Sequence, residues 1–447
     1  MDKRSFLKLS STLMSAPFLS PLIKLMPGEK LKNWAGNLEY STSTLYEPAD
    51  AEALAAVVKQ HPKLKVLGTR HCFNTIADSK DCFVSLKQMS KLRSIDANAK
   101  TVTLEAGMNY GQLCPQLQEQ GFALHNLASL PHISVAGACT TATHGSGMNN
   151  GNLATAVRAL EFVKADGSIA VLQKDKDGEQ FNAAVVGLGA IGVITAVTLD
   201  LQPSYLVLQH VFEHLPVDEL YKNFEAIMSA GYSVSLFTDW QTNTVNEVWV
   251  KSKAGAVTVN PGADFYGAKA ATRNLHPIAS SPAENCTEQL GVPGNWYERL
   301  PHFKMGFTPS SGVELQSEFF VPREHAVKAI QAVAKLGAIT GPHLFISEIR
   351  SIAADHFWMS SCYQTPSIAL HFTWKQEWEA VKKILPVLEQ TLAPYHAKPH
   401  WGKLFTMSPA HLASLYPKLP AFKKMVREYD PKGKFRNAFL DRNIFGA

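Results

Sequence analysis

A histidine stands at the tip of a turn in VLGTRHCFNTIADS, residues 66–79. A buried strand ends at Gly68, and Thr69, Arg70, His71, Cys72, Phe73 and Asn74 follow in a row. This raises the question of what an imidazole flanked by a thiol and apolar residues is there to meet. Further on, SEIR sets Glu348 and Arg350 at i and i+2, so on a strand they share one face. Beside Phe345, Ile346 and Ile349 they read as a semi-buried pair, and spacing alone fits a structural salt bridge as well as a catalytic one. LHFTW puts His371 and Thr373 on one face, and VELQSEFF puts Gln316 and Glu318 on one side of a strand. KPHWGKLF carries His400, Trp401 and Lys403 in an otherwise apolar segment, where a lone lysine is ordinarily a solvated surface residue.

The stretch from Ser129 to Asn152, SLPHISVAGACTTATHGSGMNNGN, combines small residues, hydroxyls, two histidines and four glycines. Glycine permits close approach, and successive backbone N–H groups in such a loop can hold a pyrophosphate. The apolar anchors Ile133, Val135 and Ala136 set it apart from a plain polar loop. GLGAIG, residues 187–192, matches a dinucleotide fingerprint by its letters. The fingerprint needs a strand before it and a helix after it. Here EQFNAAVV before it reads as helix and VITAVTLDL after it as strand, so a nicotinamide site is rejected. These glycines instead suit the approach of a backbone to something flat or bulky.

The positioning elements follow from periodicity. DAEALAAVVKQHP reads as a helix with Asp50 as N-cap and Pro62 as its stop. LEYSTSTLYEP, LKVLG, CFVSL, TVTLEAG and IAVLQ read as strands, YGQLCPQLQEQG as a helix, and AVRALEFVKADGS as a strand entering a turn at Asp166-Gly167. The alternation breaks near Ser204. Longer helical runs then mix with the strands VSLFTDW, SEIRSIAA and SIALHFTW, and the segment after Lys403, with no evident partner of its own, is free to return to the first domain. The expected division is a leader at 1–32, a main segment at 33–204, an inserted domain at 205–403 and a returning segment at 404–447.

Composition narrows the function. Hydrophobic residues make up 46% and charged residues 18% of 447, which suits a globular chain of more than one domain. The net charge is +5, and residues 1–32 hold six basic residues against two acids, so the rest of the chain is near neutral and nucleic acid is excluded as the main partner. The six cysteines form no C-x-x-C and have no zinc spacing with histidines, so no metal site is expected. KRSFLK is similar to a twin-arginine export signal with Lys3 in place of the first arginine. Periplasmic export is expected, or a cytoplasmic protein if that leader is not functional, with no stable membrane span.

Taken in order, GTRHCFN, SLPHISVAG, THGSG, GAIGVIT, SEIR, HFTW and HWGK resemble the bacterial alditol (xylitol) oxidases. These are vanillyl-alcohol-oxidase-like FAD-linked flavoproteins, a group that includes the aldonolactone oxidases. NWAGN, YSVSLFTDW, NCTEQ and ERLPHF extend the resemblance from about Asn33 to the C-terminus. It implies an α+β fold, with an FAD-binding domain in two segments and an inserted substrate domain. It implies FAD bonded covalently to His71, although this chain has Thr69, Arg70 and Cys72 where the wider superfamily usually has Gly and Ser. It places Val66, Leu67, Gly68, Thr69, Arg70, His71, Cys72, Ser129, Ser134, Gly137, Thr141, Ala142, Thr143, His144, Val193 and His400 along the cofactor. It places Ser129, Gln316, Glu348, Arg350, His371 and Thr373 around the substrate, with Glu348, Arg350 and Lys403 as the catalytic set. The implied reaction oxidises the terminal primary hydroxyl of a polyol, with hydride passing to the flavin and O2 becoming hydrogen peroxide. A lactone oxidase, or a flavin dehydrogenase with another electron acceptor, is the alternative. The implied partners are the polyol and O2, and a monomer is expected.

Overall fold

The computed structural model describes residues 22–23, 30–256, 259–260, 262–306 and 313–446. Most of the leader read at 1–32 lies outside these. Local chemistry starts the elements where the sequence places them. Asp50 accepts from the Ala53 N–H at 2.8 Å and opens the helix Ala51–Gln60, which buries Ala53, Leu54, Val57 and Val58. Asn109 and Gln112 bond to each other's backbone and open Tyr110–Glu119 with a capping box. LEYSTSTLYEP is shorter as a strand than expected: only Leu45–Tyr46 joins a sheet. Side chains take the backbone before it, with Ser41 N–H donating to Asp78 and Thr44 N–H to Thr42.

Leu45–Tyr46, Phe83–Ser85 and Lys65–Leu67 pair in parallel, with Leu22–Ile23 antiparallel on the outer edge. A five-stranded antiparallel sheet runs in the order Leu92–Asp96, Thr101–Glu105, Val193–Asp200, Val157–Val163, Ile169–Gln173. From Leu206 onward the chain builds a nine-stranded antiparallel sheet. Near one edge lie Leu344–Ile352, Ser367–Lys375 and Glu314–Pro322 side by side, followed by Lys398–Pro399. Each of these strands is buried on both faces. One face packs apolar residues such as Phe319, Leu370, Phe372 and Trp374 into the core.

The last segment returns to the first. Lys65 donates to the carbonyls of Phe435 and Gly189 at 3.0 and 3.1 Å. Lys434 donates to the carbonyls of Val58 and His61. Asn437 donates to those of Thr75, Ile76 and Asp78. Among the described residues no helix is long and apolar enough to cross a membrane.

Candidate active site

Strand register assembles the polar wall of the site. Glu318 pairs with His371, and His371 pairs with Glu348, so three titratable side chains stand in one row across three strands. Residues two positions away share that face, which adds Gln316, Thr373 and Arg350. The edge pairing of Lys398–Pro399 then brings in the loop beyond it: His400 N–H donates to the Glu318 carbonyl, and Leu404 N–H to that of Gln316. This delivers Lys403, whose Nζ donates to Glu318 Oε2 at 2.8 Å and to His371 Nδ1 at 2.7 Å.

Glu318 holds the row together. Its Oε1 lies 3.2 Å from His144 Nε2 and 3.4 Å from Arg350 Nη2. Arg350 Nη1 donates to Ser129 Oγ at 3.2 Å, whereas its buried Nε makes no hydrogen bond among the described residues. The Glu318 side chain has no exposure and Lys403 keeps 13%, so the carboxylate anchors and the ammonium faces the cavity. Burial would push the Glu318 carboxyl up, but Lys403 and His144 more than reverse this and hold it well below the usual range. For Glu348 burial is likewise outweighed, by Arg350 and His302, and it too stays ionised. Burial, reinforced by Lys403, lowers His371 to about 4. A neutral His371 that accepts at Nδ1 carries its proton on Nε2 and donates to Thr373 Oγ1, 3.1 Å away.

The turn at His71, which lines the same cavity, is fastened from several sides. Phe73 N–H donates to the Gly402 carbonyl, Asn74 Nδ2 to those of Trp401 and Lys403, and Asn33 Nδ2 to that of Cys72. Arg70 takes the left-handed backbone conformation at φ 62°. Trp34 lies 4.4 Å from the His71 ring, and His132 Nε2 lies 3.3 Å from His71 Nδ1. Burial, then the neighbouring His132 and Lys403, drive the His71 pKa well below the ordinary histidine value, so it presents a neutral, nucleophilic ring.

The cavity measures about 1060 Å³. Small-molecule sites span roughly 300–1,000 Å³, so this one has room for a dinucleotide-sized group and a small substrate. Its lining includes Val66 to Cys72, Ser129, Ser134, Gly137, Thr141, Thr143, His144, Gln316, Glu348, Arg350, His371, Thr373, His400 and Lys403. Ala142 and Val193 do not line it, although Thr141, Thr143, Gly192 and Ile194 beside them do. Both side chains turn into the core instead. Gly189 and Gly192 of GLGAIG line the same cavity, between the helix Lys174–Val185 and the strand Val193–Asp200. A Cβ on Gly68 or Gly137 would come within 2.8 or 2.7 Å of Ser134 Oγ, so the wall is closely fitted. A cavity of this size, lined by glycines, a neutral histidine and paired charges, fits a flavin dinucleotide.

Sequence reasoning noted Glu318 only as a neighbour of Gln316, though the period-two signal put it on the working face. It assigned no role to His132, His302 or Trp34, and nothing local marks them. Cys72 borders the cavity near Gly402, and the other five cysteines are buried.

Residues 43–173 match the FAD binding domain family, and residues 311–443 match the D-arabinono-1,4-lactone oxidase family. The chain is 46% identical to alditol oxidase of Streptomyces sp. over 411 residues, covering 91% of this chain and 97% of that protein. It is 25% identical to mouse L-gulonolactone oxidase, covering 94% and 99% of the two chains. It is 26% identical to L-gulono-1,4-lactone dehydrogenase of Mycobacterium tuberculosis, covering 92% and 98%. Among solved structures, a solvent-stable cholesterol oxidase superposes with a TM-score of 0.76 at 16% identity, covering 96% and 99%. A cholesterol oxidase from B. sterolicum gives 0.73 at 13%, covering 95% and 100%. At such identities these two show the fold alone.

Proposed function

Because the chain belongs to the alditol oxidase family of FAD-dependent oxidoreductases, we propose that this cavity oxidises the terminal primary hydroxyl of alditols such as xylitol and sorbitol. The observation that carries the reading is the row Glu348–His371–Glu318, flanked by Arg350 and Lys403 and facing the cavity that His71 enters. FAD held here would supply the hydride acceptor, with O2 as the final acceptor of the two electrons and two protons taken from the alcohol, as hydrogen peroxide. His71 is the residue to which we assign the covalent bond, with Ser134, Gly137 and Thr141 to His144 along the cofactor.

The side chains in front of it grip hydroxyls. Glu348, ionised, accepts from a polyol hydroxyl, and Gln316, Ser129 and Thr373 supply further polar contacts. Arg350 and Lys403 concentrate positive charge where a hydroxyl oxygen gains negative charge, and fixed charge of this kind contributes on the order of 3–4 kcal/mol to a barrier. The two cations are matched by Glu318 and Glu348, so the protein groups are electrically balanced and a developing alkoxide meets donors that need no rearrangement. We take residues 33–204 and 404–447 as the FAD-binding portion, and 205–403 as the cap that carries most of this wall. Periplasmic export and a monomeric state belong to the same reading.

The test is direct. Purified under air, the protein is expected to be yellow, to keep its colour on the polypeptide after acid precipitation, and to form peroxide with a panel of sugar alcohols. Peroxide from aldonolactones but from no alditol would overturn the substrate. Colour released by acid would remove the covalent bond, and His71→Ala is expected to produce that release.

A further inference from the structure

Two side chains given no role so far stand in line with Glu348, His302 beside it on the cavity lining and Lys251 behind His302. His302 Nε2 is 2.7 Å from Glu348 Oε1. Lys251, wholly buried on the strand Thr244–Lys253, directs Nζ at three acceptors: the carbonyls of Leu300 at 2.6 Å and Pro301 at 2.9 Å, and His302 Nδ1 at 3.3 Å. An ammonium has three N–H donors, and here each has an acceptor. The rings of Phe237 and Trp249 pack edge-on against His302, with centroids 5.4 and 5.2 Å away, and fix its plane.

We propose that Lys251 and His302 are positioning residues that form a tautomer lock: the ammonium occupies Nδ1, so the imidazole carries its proton on Nε2 and donates it to Glu348 Oε1, which leaves Oε2 to receive a substrate hydroxyl. The opposite tautomer would set two acceptors, Nε2 and Oε1, 2.7 Å apart. The hydrogen bond from His302 and the ion pair with Arg350 both fall on Oε1. Burial lowers His302 to about 4, so the ring is neutral, and it lowers Lys251 to about 7, so the amine still carries its proton in mildly acidic solution. A buried lysine is costly where an apolar residue would fill the space. Orienting the carboxylate is what it contributes in return. The role given to Oε2 rests on the polyol reading; the tautomer does not.

The full-length holoenzyme, labelled with 15N-histidine and measured at pH 6, tests this. His302 is expected to show a protonated Nε2 and a bare Nδ1, and Lys251→Met, which frees Nδ1 and removes the ammonium that helps keep the ring neutral, is expected to raise the His302 pKa so that Nδ1 takes a second proton as the pH is lowered. With xylitol, His302→Phe is expected to raise KM about tenfold or more, the worth of one hydrogen bond to a charged group, with kcat little changed. His302→Gln, whose amide N–H reaches the same oxygen, is expected to restore KM. A wild-type His302 protonated at Nδ1 or doubly protonated overturns the lock, as does Lys251→Met with the His302 titration unchanged or His302→Phe with KM unchanged. The wild-type spectrum decides the matter if the lysine variant fails to fold. A chain that oxidises no polyol yet shows His302 protonated at Nε2 refutes the substrate reading and supports the lock.

Discussion

Arg350 does three things at once. It bonds Ser129, leans on Glu318 and keeps Nε beside Glu348, 3.4 Å away. A lysine is a point charge and cannot reproduce that fork. Arg350→Lys is therefore expected to lower kcat/KM for xylitol roughly 10²-fold, measured by peroxide release, with the flavin content unchanged. Glu318 is different in kind, since it neutralises neighbours rather than facing substrate. Glu318→Gln leaves Lys403 and Arg350 partly uncompensated, and breaking a buried ion pair from one side costs about 3–5 kcal/mol. Urea unfolding should show that loss, and a midpoint equal to the wild type would count against the anchoring role. The buried histidines set the pH dependence. His302 and His371 fall to about 4 when folded, against an ordinary value of 6.5. Between those limits the unfolded chain binds more protons, so stability rises with pH. The histidine contribution to Tm is expected to climb from about pH 4 to about 6.5, where it is complete, and the buried Lys251, lowered to about 7, carries the rise further above pH 7.

Elements place these residues through caps and register. The helix Ala51–Gln60 was legible because Asp50 is a strong N-cap and its apolar spacing is helical. Asp50→Ala is expected to cost about 0.5–2 kcal/mol, seen as a lower Tm without any change in polyol turnover. Gly107 shows the opposite situation. Nothing in TVTLEAG sets that glycine apart, yet a Cβ there would lie 1.9 Å from the Leu86 carbonyl oxygen, which is backbone and cannot rotate away. Gly107→Ala is expected to yield little folded, yellow protein, judged by soluble yield and flavin absorbance. The strands SEIRSIAA and SIALHFTW were readable by alternation and composition. Their pairing was not, and pairing is what puts His371 between two carboxylates.

At the scale of the molecule the C-terminal segment matters although none of it lines the cavity beyond Lys403. Lys434, Phe435 and Asn437 hold the backbone around His61, Lys65 and Thr75. These contacts close the part of the chain that carries the His71 turn. A chain ending at Tyr429 keeps every lining residue, yet it is expected to purify without bound flavin. Retention of acid-stable colour by that truncation would show that the returning segment is dispensable.

The sequence by itself determined which residues could do chemistry, which stretches form helices and strands, and that GLGAIG is not a nicotinamide site, because propensity, capping and side-chain alternation act over a few residues. Tertiary structure alone decided that Glu318 is the anchor of the charged row, that His302 and then Lys251 stand in line with Glu348, and that Trp34 and His132 flank His71. Those relations join positions as far as 174 residues apart, as from His144 to Glu318. They depend on which strands pair and in what register, and that is settled by packing across the whole chain rather than by any local pattern.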